Sequence, residues 1–445
     1  MIEQQYIDLF NQHHHLIDKH SSSVLNALRE KAMADFVASG FPTSKEEDYT
    51  YCDISKLFEP NFGLNLNRLP IPVNPYEVFR CNVPNLSTHL YFVENDSFYD
   101  KALPKANLPK GVLLGSLKTF AQTHPELVSK YYGKAVDTSK DAVAAFNTAF
   151  AQDGFFVYVP KNVVWEHPVQ LVNMLRADVD FMVNRRMLII LEDNAQMKLL
   201  VCDHAMDEHR FLATQVIEIF AGENTVFDLY ELEANHSKTT RINSVYVSQQ
   251  ANSNVLLNSI TLNNGTTRNN YHVGLHGKKA EAHLYGMAVA DEQQTIDNFS
   301  FIDHAVPDCT SNELYKYVLN DQSTGVFCGK LLVRKDAQKT QAYQSNKNIC
   351  MTNEAKMFTK PQLEIYADDV KCSHGATVGQ LNEEALFYLR SRGIPEKEAK
   401  MLLMFAFVSD VIDNVRLKEL EERLHLLVEK RFRGEIGKCE GCASC

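Results

Sequence analysis

The residues best suited to chemistry lie near the carboxyl end of the chain. Cys372 and His374 are two positions apart in the stretch KCSHGATVG, between the predicted strand LEIYADDV and a predicted helix start. Because side chains alternate along a strand, a thiol and an imidazole at this spacing project from the same face. Both groups bind iron, zinc or copper, and an imidazole can activate a neighbouring thiol. Two ligands do not complete a metal site, so structural roles remain the alternative.

A second candidate site is the terminal stretch KCEGCASC. It places Cys439, Cys442 and Cys445 in a C-x-x-C-x-x-C pattern. Three thiolates at this spacing can wrap one zinc ion or one iron-sulfur cluster, with a fourth ligand supplied from elsewhere. The alternative is a tail of exposed thiols that binds metal only adventitiously.

The sequence lacks the common motifs of nucleotide-binding and hydrolytic sites. The stretch TGVFCGKLL resembles a phosphate loop, but three residues rather than four separate Gly325 from Gly329, and Leu331 replaces the required Ser or Thr. No G-x-G-x-x-G leads from a strand into a helix, and neither H-E-x-x-H nor G-x-S-x-G occurs. An ordinary kinase, dehydrogenase or hydrolase is therefore not indicated, and we expect a protein that is not an enzyme.

Bulk properties narrow the class of protein. The 445 residues are 45% hydrophobic, which is enough to form a full hydrophobic core without disulfide bonds or structural metal ions. A formal net charge of -11 with no basic stripe argues against nucleic acid as a partner. The N-terminus lacks the basic start of a secretory signal, and the most apolar run, residues 399–412, is too short and interrupted to cross a bilayer. We therefore expect a cytoplasmic protein without membrane segments.

Helices are predicted at both ends of the chain. Near the N-terminus, Ser23 is the expected cap of a helix that Gly40 and Pro42 end. Near the C-terminus, Asn382 caps the first of three helices, and the third helix carries an apolar stripe with 3, 4, 3 spacing. This stripe consists of Leu417, Leu420, Leu424 and Leu427. It predicts either packing against the preceding helix or a docking face for a partner.

Between these ends, short alternating runs such as GFFVYV, RMLIIL and NSVYVS predict strands. Polar turns precede similar strands at Asn194, Asn224, Ser253 and Ala280, at separations of 30, 29 and 27 residues. A repeat of this length with almost no helix favours a solenoid of stacked strands, with a β-sandwich as the alternative.

The run from residue 304 to residue 394 resembles the SufB/SufD family of scaffold subunits of the SUF iron-sulfur cluster assembly system. PQLEIYADDVKCSHGATVG followed by FYLRSRGI carries this resemblance most specifically. Weaker matches are GFFVYVPKNVVWEHPVQL and FPTSKEEDYTYCDISKL, so the resemblance spans most of the chain up to about residue 434. The SHGAT stretch with PQLEI before it favours the SufD branch, with a SufB-like subunit as an alternative.

The resemblance implies a mainly β protein with a right-handed parallel β-helix core and helical regions at both ends. We assign residues 1–84 to the N-terminal helical region, residues 85–380 to the core, residues 381–434 to the C-terminal helical region and residues 435–445 to the tail. It also implies that the core pairs with a SufB-like subunit. Its His374 is then expected at that interface, where it takes part in building a transient, shared iron-sulfur cluster, and Cys372 is its neighbour.

The C-terminal helical region is expected to bind SufC, an ABC-type ATPase. The residues assigned to that contact are Leu386, Phe405, Leu417, Leu420 and Leu424. A reduced flavin is associated with the whole complex, and an isolated chain could instead form a homodimer. The alternative function is a stand-alone metal or iron-sulfur carrier that uses the cysteine tail.

Overall fold

The computed structural model describes residues 2–79, 89–104 and 107–435. Within these ranges the α-helices are α1 (Ile2–Lys19), α2 (Ser23–Asn26), α3 (Arg29–Ser39), α4 (Ile54–Leu57), α5 (Pro75–Val78), α6 (Leu117–Thr123), α7 (Pro125–Tyr131), α8 (Ala142–Phe150), α9 (Glu383–Ser391), α10 (Glu396–Ile412) and α11 (Lys418–Arg433).

The strands follow one another with few interruptions. They are β1 (Leu90–Glu94), β2 (Ser97–Phe98), β3 (Leu113–Ser116), β4 (Phe155–Val159), β5 (Val169–Leu175), β6 (Phe181–Leu191), β7 (Gln196–Ala205), β8 (Phe211–Ala221), β9 (Val226–Ala234), β10 (Thr239–Gln249), β11 (Asn254–Asn263), β12 (Thr266–Leu275), β13 (Glu281–Ala290), β14 (Thr295–His304), β15 (Thr310–Leu319), β16 (Thr324–Val333), β17 (Gln341–Cys350), β18 (Lys356–Ile365) and β19 (Lys371–Gly379).

From β4 onward, successive strands alternate between two sheets, so the chain winds as a solenoid. The ten-stranded sheet runs β19-β17-β15-β13-β11-β9-β7-β5-β1-β2, and the nine-stranded sheet runs β18-β16-β14-β12-β10-β8-β6-β4-β3. Each strand from β6 to β19 lies parallel to the strand two positions earlier. The predicted class is confirmed: a mainly β, parallel solenoid with helices at both ends.

Asparagines form some of the tight corners between strands. Asn162, Asn194 and Asn224 have φ angles of 64°, 61° and 56°, in the left-handed region that Asn tolerates better than most residues. Their side chains form a ladder, because Asn224 donates to Asn194 at 3.1 Å and Asn194 donates to Asn162 at 2.8 Å. The 30 residues between Asn194 and Asn224 are one turn of the solenoid.

Inward-facing side chains fill the solenoid with an apolar core that contains a buried polar network. Arg241 forms ion pairs with Asp203 at 3.3 Å and with Glu231, and Arg185 lies 2.7 Å from Asp203. Burial raises the pKa of Glu233, which lies in the same network, to about 7. Charges can stay inside the solenoid because each has an opposite charge or hydrogen-bond donors beside it.

Helices cover the outer faces of both sheets. α1, α3 and α8 pack on the nine-stranded sheet around Met182, Leu212 and Ile242. α10 and α11 pack on the ten-stranded sheet around Leu256 and Ile260. Across the described ranges, none of the helices is both long and apolar enough to span a bilayer.

The structure differs from the sequence prediction in its helices. The N-terminal cap is Ser22 rather than Ser23, and the predicted helix is divided into α2 and α3 before Gly40 ends it. Helices α6, α7 and α8 also interrupt a region predicted to be almost free of helix. Every residue of α8 is buried, so its sequence AVAAFNTAF lacks the one-sided apolar pattern that marks a surface helix.

A buried ion pair fastens the N-terminal helical layer to the nine-stranded sheet. Arg186 Nη2 lies 2.5 Å from Glu218 Oε1, and both side chains are fully buried. Arg186 also donates to Thr148 of α8 at 3.0 Å. Glu218 accepts from the backbone N–H groups of Gly133 at 2.8 Å and Ala135 at 3.0 Å. The pair therefore joins two strands, one helix and one loop.

We expect Arg186→Met to lower the free energy of unfolding by about 3–5 kcal/mol, because Glu218 would be left as an unpaired buried charge. The control is Lys161→Met, which breaks the exposed ion pair with Asp193 (2.7 Å) and should cost less than about 1 kcal/mol. Urea unfolding followed by circular dichroism measures both changes. Equal losses in the two variants would contradict this account of the ion pair.

Candidate functional site

The structure places Cys372 and His374 on the last strand of the ten-stranded sheet. Strand β19 pairs with β17 alone among the described strands, with Cys372 opposite Ala342 and His374 opposite Gln344. Ala342 and Cys372 both contact the apolar core inside the solenoid. Because side chains alternate, His374 projects from this same inward face. The two-residue spacing therefore brings the thiol and the imidazole to one face, as predicted.

Cys372 lies in an apolar setting. It is half-buried and, like Val370, packs against the small cluster of Val333, Ala337 and Ala367. Burial raises the pKa of its thiol above the ordinary value. Less thiolate is then present at neutral pH, and the thiolate is the form that attacks electrophiles and binds metals. This setting suits a packing residue better than a nucleophile.

His374 is exposed, although it faces the axis of the solenoid. The reason is that the solenoid stops here: β18 and β19 are the last strands of their sheets, and we call this final turn the open end. Within the described part of the chain, no further strand or helix covers it, and the His374 imidazole makes no hydrogen bond. An imidazole without a partner is free to bind a ligand from outside the chain.

The open end also exposes apolar side chains and backbone. Tyr343, Ile365, Tyr366 and Val378 are 39%, 39%, 63% and 50% exposed. The outer edges of β18 and β19 present N–H and C=O groups that no described strand pairs. An unpaired edge beside exposed apolar residues is the usual mark of a surface that another chain covers.

The N-terminal region supports this end of the solenoid from outside. The ring of Tyr51 stacks on Phe358 of β18 with centroids 3.8 Å apart and planes 10° apart. Lys360, also on β18, forms an ion pair with Glu47. The last strand of the nine-stranded sheet is therefore held in place by residues more than three hundred positions earlier in the chain.

Family models identify the relatives of this chain. The model described as "SUF system FeS cluster assembly, SufBD core domain" matches residues 174–407, and the model described as "SufBD protein N-terminal region" matches residues 1–171. The chain belongs to the SufBD family. The matched core domain contains both Cys372 and His374, and it extends into α10.

Individual SufBD relatives cover the chain to different extents. An iron-sulfur cluster assembly SufBD family protein of Synechocystis is 28% identical over 92% of this chain and 95% of its own length. The iron-sulfur cluster assembly protein SufD of Escherichia coli is 35% identical over 40% of this chain and 42% of its own length. SufD of Bacillus subtilis is 25% identical over 79% of this chain and 81% of its own length.

The C-terminal helices place the predicted docking residues differently from expectation. Leu417, Leu420 and Leu424 are 9%, 2% and 1% exposed and pack with the outer face of the ten-stranded sheet. They are core residues of this chain, which corrects their assignment to a docking face. The apolar stripe predicted from sequence is real, but the chain's own sheet covers it. Leu386 and Phe405 are partly buried.

The exposed residues of α9 are not among those predicted from the sequence. Phe387 and Tyr388 are 74% and 57% exposed, and no residue of α9 is buried. A signal was present: the residues three and four positions from Phe387 are Glu383, Glu384, Arg390 and Ser391. A phenylalanine without apolar neighbours on its own helix face has no packing role within that helix. This SufBD chain therefore presents an aromatic surface just after the open end.

Among the described residues, one group of three His, Cys, Asp or Glu side chains has the spacing that could hold a metal ion. The three tail cysteines fall within residues 436–445, which lie outside those ranges. Asp413, Glu421 and His425 have ligand atoms within 4.8 Å of one another at the corner between α10 and α11. His425 Nε2 lies 3.3 Å from Asp413 Oδ1, so two of the three side chains already contact each other.

We expect Cys372 to be alkylated more slowly than a free thiol at neutral pH, because its raised pKa leaves little thiolate. The rate should keep rising with pH beyond the point at which an ordinary thiol is fully ionised. Iodoacetamide labelling followed by peptide mass spectrometry measures the rate at each pH, and Cys372→Ser identifies the peptide. Fast labelling at pH 7 would instead indicate an activated thiol.

Proposed function

We propose that the chain is a non-enzymatic SufD-type scaffold subunit that pairs through its open end with a second SufBD-type subunit and shares an assembly site with it. The observation that carries this proposal is the position of His374, an exposed and unpartnered imidazole on the inward face of an uncovered strand. Membership of the SufBD family supports iron-sulfur cluster assembly as the process in which this imidazole acts.

The proposed partner is a SufB-like subunit that presents a matching strand edge. Pairing of edges would satisfy the free backbone groups of β18 and β19 and bury Tyr343, Ile365, Tyr366 and Val378. His374 would then lie between two chains and supply one ligand to a cluster whose other ligands come from the partner. The iron-sulfur cluster is the cargo of this site, held transiently.

The proposed second partner is an ABC-type ATPase of the SufC kind, bound to the C-terminal helical region. Phe387 and Tyr388 on α9 are the aromatic residues available for that contact. Helix α9 begins four residues after β19 ends, so a movement of α9 would be transmitted directly to the last strand at the open end. An ATPase that draws the two scaffolds apart or together could open and close a site shared between them.

Three further expectations from the sequence stay predictions. A reduced flavin is expected in the complex, and no residue of this chain is assigned to it. The cytoplasmic location is the second of these predictions. The homodimer of an isolated chain would use the same open end, and size-exclusion chromatography with and without the SufB-like subunit distinguishes the two pairings.

We expect His374→Ala to abolish cluster assembly on the purified complex while leaving the complex intact, because an interface ligand contributes more to chemistry than to a large packed interface. Ser373→Ala is the matched control, since Ser373 lies on the same strand but faces the other way. Iron content and visible absorption report the cluster, and size-exclusion chromatography reports the complex. Full cluster yield in the His374 variant would remove this residue from the site.

We expect Phe387→Asp to weaken binding of the ATPase by at least about tenfold, because a charge would replace an aromatic anchor at the contact. Leu69→Asp is the control: Leu69 is 70% exposed and lies in the N-terminal region, away from α9. Pull-down and titration calorimetry measure the binding, and circular dichroism confirms that the helices persist. Unchanged affinity in the Phe387 variant would mean that the ATPase docks elsewhere.

A further inference from the structure

Two residues behind His374 form an inward-facing row with it across three neighbouring strands. Glu313 on β15 is the register partner of Gln344 on β17, and Gln344 is the register partner of His374 on β19. Glu313 and Gln344 are each only 3% exposed. The row therefore runs from the closed interior of the solenoid to the open end, and His374 is its one exposed member.

Gln344 is held at one end of its amide and free at the other. Its Nε2 donates to Glu313 Oε2. Its Oε1 is buried and has no hydrogen-bond partner among the described residues. Because the two ends of an amide point in different directions, Nε2 turned toward β15 leaves Oε1 on the side of β19, where His374 is the register neighbour. An unsatisfied buried acceptor of this kind is costly.

A glycine across the interior keeps the Gln344 amide in this position. A Cβ atom added to Gly329 of β16 would lie 2.1 Å from Gln344 Nε2 and 2.7 Å from its Cδ. Any other residue at position 329 would displace the amide. Glycine here therefore leaves space for the Gln344 side chain rather than for an unusual backbone angle.

We propose that Gln344, anchored by Glu313 and given room by Gly329, is a positioning residue for His374: its free Oε1 accepts the N–H of one ring nitrogen and directs the other nitrogen to the metal. Gln344 Oε1 is an acceptor without a donor, and the His374 ring N–H is a donor without an acceptor among the described residues. The two residues are directly opposite each other on adjacent strands. Rotation of the His374 side chain toward β17 joins them. Metal-binding histidines generally donate their second ring N–H to such an oxygen, which fixes the tautomer and the ring orientation.

Glu313 acts at the far end of the row. Burial raises the pKa of its carboxyl to about 7. Above this pH, as at pH 8, the carboxyl is an anion that accepts from the Gln344 amide and strengthens the polarity of Oε1 along the row. The inference rests on the proposed function only for the identity of the ligand that His374 binds, and not for the hydrogen bond itself.

The hydrogen bond is tested on the isolated chain. Nitrogen-15 spectra of histidine-labelled protein at pH 8 report which ring nitrogen of His374 carries the proton, and His374→Ala assigns the signal. We expect one dominant tautomer in the unmodified chain and a mixture like that of free histidine in Gln344→Met, which keeps the length but removes the acceptor.

Thr359→Val is the matched control. Thr359 lies on β18, and its buried Oγ1 also has no hydrogen-bond partner among the described residues, so the variant removes an unsatisfied polar atom at the same end of the solenoid. We expect it to leave the His374 tautomer unchanged. If circular dichroism shows that Gln344→Met does not fold, the tautomer is measured in Gly329→Ala instead, since this variant displaces the amide without removing it. An unchanged tautomer in the readable variant overturns the positioning role.

Cluster assembly then separates this inference from the proposed function. In the assembled complex, Gln344→Met should raise the iron concentration needed for half-maximal cluster formation about 10- to 100-fold. If His374→Ala still assembles cluster normally, the proposed function fails while the tautomer result stands. If His374→Ala abolishes assembly and Gln344→Met changes neither the tautomer nor the iron requirement, the positioning role fails and the proposed function stands.

Discussion

Each turn of this solenoid depends on the next turn for its backbone hydrogen bonds. In a parallel ladder every strand pairs on two sides, and a strand with only one neighbour leaves half of its N–H and C=O groups unpaired. The same rule governs the interior, where each layer of inward side chains is covered by the layer that follows. At β18 and β19 no described strand supplies the second neighbour. His374 of the candidate site on β19 is exposed for this reason.

The chemistry of the site follows from its place in the stack. A histidine deeper in the stack is sealed, as His304 of β14 is: it is fully buried, and burial lowers the pKa of its imidazole to about 4. His374 has the same inward direction without the cover. The chain thereby obtains an imidazole that is fixed to a rigid strand and still reachable from outside, while Cys372, deeper against the core, keeps the character of a packing residue.

Much of this architecture is readable from the sequence, and the exceptions have a common cause. Alternation predicts the strands, the separation of Asn194 and Asn224 predicts one turn, and the spacing of Cys372 and His374 predicts their shared face. The residues of one helix or strand do not show what packs against its apolar face. The apolar stripe that contains Leu420 has the same pattern whether a sheet of this chain or another protein lies against it. Helix α8 is not recognised from its sequence because it is covered on all sides and so has no polar face. Gln344 is likewise recognisable only once the register of three strands is known.

The two ends of the solenoid differ in a way that limits assembly. At the far end, β2 and β3 are short strands of two and four residues and run antiparallel to their neighbours. A long parallel edge cannot extend such a terminus, because strand direction and length both mismatch. The proposed association through β18 and β19 would therefore use the one long parallel edge that the described strands leave unpaired. Growth would then stop at a pair of solenoids instead of propagating head to tail into a fibre.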